Sequence, residues 1–109
     1  MNTRSRKLLD LAHELHSCLN CGKHSPEGLE PAHQNGIGAG KGQSIKGQDN
    51  RHAALCHDCH GWYDSGANAK DPSGLYYPTR AEKREMWIRA HLLTMDEYWL
   101  RGWLAVVSP

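Results

Sequence analysis

No stretch of this 109-residue chain is apolar for long enough to cross a membrane, and none has the apolar core of a signal peptide. A reducing cytoplasm is therefore the expected setting, where cysteine pairs favour metal over disulfide. An excess of charge of one sign is also missing. The formal net charge is +1, which excludes a globally basic nucleic-acid binder and leaves only local basicity at Arg4, Arg6, Lys7, Lys41 and Lys46. There is no internal repeat, no linker to a second domain and no legible heptad or exposed interface, so residues 1–109 read as one domain. Hydrophobic residues make up 39% of the chain. That suffices for a globular fold with a modest core, and a bound metal commonly supplements such a core.

What is present is a pair of short cysteine motifs, Cys18-Leu19-Asn20-Cys21 and Cys56-His57-Asp58-Cys59-His60. No cysteine is left over. Two C-x-x-C pairs match the ligand number and local spacing of a tetrahedral four-thiolate zinc site, each pair forming a knuckle. A thioredoxin-like redox site is the competing reading of one such pair, but two pairs without a βαβ pattern argue against it. His60 follows the last cysteine and is not needed to complete the site.

Residues 4–16 are predicted helical, because Leu8, Leu11, Ala12 and Leu15 share a face from which Lys7, Asp10 and Glu14 are absent. Residues 29–33 are short and extended, since the residue before Pro31 avoids the α region. The glycine-rich residues 36–47 form a flexible loop, of a kind more often functional than idle inside a compact domain. Asp49 to Leu55 is predicted to be a strand entering the second knuckle, and residues 57–65 a short helix that can pack Trp62 and Tyr63. Thr79-Arg80-Ala81-Glu82 and Thr94-Met95-Asp96-Glu97 each read as a capping box. They predict two amphipathic C-terminal helices, the first carrying Trp87, Ala90 and His91, the second Met95, Tyr98, Trp99 and Trp103. Helical periodicity explains these tryptophans as core packing rather than as a base-stacking platform.

His33, Asp49, Asn50 and His60 are the residues that such an arrangement of strand, loop, strand and helix would gather. Phosphodiester hydrolysis needs a divalent ion against the developing charge and a base for the attacking water. A neutral imidazole suits the base near pH 7, and another suits a metal.

The order Cys-x-x-Cys, Ala32-His33, Asp49-Asn50 and Leu55-Cys56-His57-Asp58-Cys59-His60 resembles the zinc-stapled HNH endonucleases, the ββα-metal class. A narrower resemblance spans nearly the whole chain. It rests on residues 6–12, Gly40-Lys41-Gly42, Lys46 before Asp49, and Thr94-Met95-Asp96-Glu97 with Gly102. These are similar to small phage and prophage nucleases of the family once called DUF1364.

The resemblance implies an α+β fold, a small zinc-stapled ββα-metal centre with an N-terminal helix and a C-terminal helical pair. It implies a metal-dependent endonuclease acting on DNA in phage metabolism, in the cytoplasm of a bacterial host. It implies His33 as general base, Asn50 as positioning residue and His60 as ligand of a catalytic Mg²⁺ or Mn²⁺, with a structural Zn²⁺ on Cys18, Cys21, Cys56 and Cys59. Where many HNH enzymes place an acidic residue or second histidine before the base, this chain has Ala32; Asp49 or Glu30 then supplies the missing ligand, or His33 is itself one. DNA is the expected partner, and a homodimer would suit cleavage of both strands.

Plainer readings stand beside these. His33 and His60 could be packing or helix-start residues, His57 points to solvent, His52 is either packing or a phosphate contact, and Asp49 could cap a turn. Residues 36–42 fail as a phosphate loop, because Gly40-Lys41 is followed by Gly42 instead of Ser or Thr. Lys41 and Lys46 suit phosphate contacts that position DNA, or are solvated loop charges. The alternative function is a non-catalytic zinc module that binds DNA or a replication or recombination protein.

Overall fold

A computed structural model describes residues 4–35, 48–65 and 80–107. Helix α1 (Arg6–Asp10) opens on Ser5, whose hydroxyl accepts from the Leu8 N–H at 3.2 Å. It tightens into a 3₁₀ turn, Leu11–Glu14. The predicted helix over 4–16 stops short because Leu15 is extended, and the Ala12 and Leu15 carbonyls accept from the Leu29 N–H instead. Gly28 makes this return possible. Its φ is +92°, and a Cβ there would overlap the His13 carbonyl.

Strands β1 (Glu30–His33) and β2 (His52–Leu55) form a two-stranded antiparallel sheet with Ala32 opposite Ala53 and His33 opposite His52. Pro31 stands opposite Ala54, whose N–H turns away from β1 to Thr94, so the missing proline N–H costs the ladder nothing. The predicted strand over Asp49 to Leu55 is shorter at its start. Asp49 and Asn50 lie in a turn closed by the Arg51 N–H on the Gln48 carbonyl at 3.0 Å. Helix α2 (His57–Asp64) follows β2 directly and buries Cys59, Trp62 and Tyr63.

The expected C-terminal pair is one helix, α3 (Arg80–Leu100). Thr94 does not cap anything. Its hydroxyl donates to the Ala90 carbonyl at 2.7 Å and accepts from the Ala54 N–H at 2.9 Å. A threonine bonding back by one turn is compatible with a continuing helix, and Glu97, the other half of the apparent box, pairs with Arg101 at 2.9 Å. Thr79 lies outside the described residues, as do the whole of residues 36–47 and 66–79. The end of α3 is a Schellman motif. Gly102, at φ 74°, donates to Trp99 O at 3.0 Å, Trp103 N donates to Tyr98 O at 2.9 Å, and the Tyr98 and Trp103 rings lie 6.0 Å apart.

Three alanines, Ala32, Ala53 and Ala54, are fully buried, and their small size lets α3 approach the sheet. The Trp87 indole donates to Ala32 O at 2.8 Å, and the His91 ring donates through Nδ1 to His52 O at 2.8 Å. His91 and Thr94 of α3 thus satisfy part of the open edge of β2, the Leu19 N–H takes the Ala54 carbonyl, and Trp87 ties α3 to β1. Thr94→Val should keep the shape but leave the Ala54 N–H buried and unpartnered. A loss of about 1–3 kcal/mol in urea unfolding is expected.

His52 is buried packing. Its Nδ1–H donates to Asp49 O at 2.7 Å and its Nε2 accepts from the Tyr98 hydroxyl at 2.9 Å, which fixes a neutral ring. Burial holds its pKa at about 4, below the ordinary 6.5. The unfolded chain therefore takes up this proton first as pH falls. Stability from this group is present above about pH 6.5 and drains away down to about pH 4, a loss of about 3 kcal/mol in all. Unfolding of wild type and His52→Asn across that window should show the difference: the variant starts less stable and has the flatter profile.

Candidate metal and acid–base site

The cysteines converge. Cys18 and Cys21 sit on a knuckle turned by the Gly22 N–H on Cys18 O at 2.9 Å and tied to β2 by the Leu19 N–H on Ala54 O at 3.2 Å. Cys56 caps α2, its sulfur accepting from the Cys59 N–H at 3.5 Å, so Cys56 and Cys59 share the first helical turn. The four Sγ atoms lie within 4.8 Å of one another and none is in a disulfide. Cys21 Sγ and Cys56 Sγ are 3.8 Å apart, the edge of a tetrahedron with metal–sulfur bonds of about 2.3 Å. Asn20 donates its backbone N–H to Cys18 at 3.4 Å and its amide to Cys59 at 3.5 Å, the kind of outer hydrogen bond that holds ligating sulfurs. The hydrogen bond between Cys18 and Cys59 pulls the first thiol down to about 4 and pushes the second up, and burial raises Cys56. Four thiolates this close need a cation between them. The set can hold a metal ion, and among the described residues no other group of three or more His, Cys, Asp or Glu donors is so gathered.

The sheet and α2 carry a second arrangement around a cavity of about 540 Å³ lined by His33, Glu30, His60, Asp64, Asn35 and Arg6, among others. His33 Nε2 is 2.9 Å from Asp49 Oδ1, and the two side chains are only 12% and 9% exposed. Asp49 also accepts from the Ser5 N–H at 2.7 Å and lies 3.6 Å from the Arg4 guanidinium. Burial works to raise the Asp49 pKa, but the hydrogen bonds of His33 and Ser5 and the neighbouring positive charges hold it below the usual carboxylate range. An ionised carboxylate only accepts, so the neutral His33 ring carries its proton on Nε2. That leaves Nδ1 as the basic nitrogen.

His60 stands between two carboxylates. Its Nδ1 is 2.8 Å from Glu30 Oε1 and its Nε2 is 3.3 Å from Asp64 Oδ2. The Asp64 hydrogen bond and then that of Glu30 raise its pKa against the effect of burial. Glu30 reaches His57 as well, at 3.0 Å, and its own pKa is lowered by both imidazoles despite burial. Asp64 is steadied by the Asn35 amide at 2.7 Å. Two carboxylates and an imidazole on one cavity wall are donors that suit a hard or borderline divalent ion. Binding one requires His60 to exchange a carboxylate partner for the ion.

The structure thus brings His33 and His60 to one cavity, with Asp49 behind His33 and off the cavity wall. Asn50 is exposed in its turn, and Asp49 is the residue that touches His33. His57 is 88% exposed, as expected, yet it engages Glu30. Lys41 and Lys46 lie outside the described residues. Asp64 escaped the reading of the sequence, although its position four residues after His60 in a predicted helix was a usable signal. Comparison with protein-family models, curated proteins and solved structures gave no match. No helix among the described residues is long and apolar enough to cross a membrane.

Proposed function

We propose that this chain is a metal-dependent endonuclease of the HNH type, stapled by a Zn²⁺ on Cys18, Cys21, Cys56 and Cys59 and acting on DNA. The observation that carries the reading is the shared cavity. A histidine oriented by a buried carboxylate, His33 on Asp49, faces the same space as Glu30, His60 and Asp64. Such a pairing is what hydrolysis of a phosphodiester requires, a base for water beside donors for a cation.

Glu30 and His60 would supply ligands to the ion, Mg²⁺ or Mn²⁺, with Asp64 holding the far nitrogen of the His60 ring. When bound, it offsets negative charge on the scissile phosphate and on the leaving 3′ oxygen. The remaining work belongs to the chain. His33 Nδ1 takes a proton from water as the water oxygen bonds to phosphorus and the bond from phosphorus to the 3′ oxygen breaks. Asp49 holds the ring and stabilises the imidazolium that results, and the hydrogen bond from Ser5 and the ion pair with Arg4 fix it in place. Lys41 and Lys46 remain candidates for phosphate contacts that position the strand.

Manganese titration followed by electron paramagnetic resonance tests the ion site. Zinc-loaded wild type should bind Mn²⁺, and Glu30→Gln combined with Asp64→Asn should not. A wild type that binds no divalent ion beyond zinc returns the chain to the other reading, a zinc module that holds DNA or a replication or recombination protein.

A further inference from the structure

The outer face of α3 carries large apolar side chains in the open. Ile88 is 49% exposed, Leu92 58% and Trp99 51%, and Met95, half-buried and packed in part against the core, completes the row. Positions 88, 92, 95 and 99 alternate in steps of four and three, the spacing of a coiled-coil seam. This row lies opposite the buried one formed by Lys83, Met86, Trp87, Ala90, Thr94 and Tyr98. The sequence concealed it, because splitting the helix at Thr94 divides the row. A contiguous apolar row on an otherwise polar helix face marks an interaction site.

We propose that this face is the seam of a homodimer in which two copies pack their α3 helices antiparallel. The charges beside the row decide the occupant. Arg89 flanks it on the N-terminal side and Asp96 lies on the same flank, one seven-residue step later. Both are exposed, and neither makes an ion pair among the described residues. Along the chain the cation precedes the anion. A second, antiparallel copy reverses that order. About a two-fold axis between Leu92 and Met95, Leu92 meets the partner's Met95 and Ile88 meets the partner's Trp99. Arg89 then falls beside the partner's Asp96, and the pair occurs twice by symmetry. An anionic membrane surface fits less well, since Glu85 and Asp96 offset Arg84 and Arg89 beside the row and leave no net basic flank. The row spans about 17 Å of helix, and the exposed Leu93 and Leu100 widen the apolar surface at its margin.

Sedimentation equilibrium and light scattering on the zinc-loaded full chain test the seam. The expected mass is twice the 12.2 kDa of one chain. Leu92→Glu, a change at an exposed position that circular dichroism should report as fully folded, should weaken the dimer about tenfold or more. Arg89→Asp alone should weaken it by setting Asp against Asp, and Asp96→Arg alone by setting Arg against Arg, while the two together should restore it. A folded wild type that stays monomeric across concentration overturns the proposal. So does a dimer indifferent to Leu92→Glu, or a double charge swap that fails to restore association. Recruitment of the monomer to lipid vesicles through this face would overturn it too.

Discussion

Stripping the metal from the cysteine cluster is expected to unfold the protein. A structural zinc site contributes about 10–16 kcal/mol of apparent binding energy, and because the unfolded chain has no formed site that energy is folding energy. Whole domains retain only about 5–15 kcal/mol of net stability. The four sulfurs also tie the knuckle after the 3₁₀ turn to the first turn of α2. Two variants separate the metal from packing. Cys59 is fully buried, whereas Cys21 is exposed and fills no space in the core. If coordination is what matters, Cys21→Ser should collapse the fold nearly as completely as Cys59→Ser. Elemental analysis should find one zinc per chain in the wild type, and far-ultraviolet circular dichroism should lose its helical signal on chelation and regain it when zinc returns. A chelated protein with an unchanged signal and unfolding midpoint would show that the cluster is ordinary packing.

His33→Ala should lower the rate of DNA cleavage by about 10²–10⁴, the usual contribution of a positioned general base. The substitution removes a ring that bonds to Asp49 and lies on the cavity wall, well away from the four sulfurs in role, so zinc content and helical signal should be unchanged. Asp49→Asn makes the informative comparison. The amide oxygen can still accept from His33 Nε2, so the ring keeps its orientation, but the charge that stabilises the imidazolium is lost. Its rate should fall less than that of His33→Ala. Imidazole added to His33→Ala, small enough for the vacated space, should recover part of the rate, a result that a merely structural histidine would not give. Equal cleavage by wild type and His33→Ala would remove the base assignment.

Much of this site was legible because its signals are local. Each C-x-x-C pair declares its ligands by spacing alone, and His60 is fixed to the second pair by adjacency. Pro31 marked the strand that carries His33 and Glu30. The failures came where tertiary contacts outvoted a local pattern. Thr94 has the sequence of a helix cap, but its hydroxyl is taken by the N–H of Ala54 on a distant strand and by its own helix. The Asp49-Asn50 pair offered two candidates for contact with His33. The turn closed by Arg51 and the His52 ring on the Asp49 carbonyl gives that contact to Asp49 and leaves Asn50 outside. Glu30 was named only as a possible substitute, since nothing in its neighbourhood reveals that it lies between two imidazoles of α2.

The most direct measurement of the central claim is cleavage of supercoiled plasmid and of a defined duplex by zinc-loaded protein as Mn²⁺ or Mg²⁺ is titrated in, with zinc per chain held constant. No product is expected without the added ion, a saturable rise in cleavage is expected with it, and His33→Ala should lose nearly all of that rise. A folded, zinc-replete protein that cuts no DNA at any ion concentration, or whose cleavage is independent of the added ion and of His33, would contradict it.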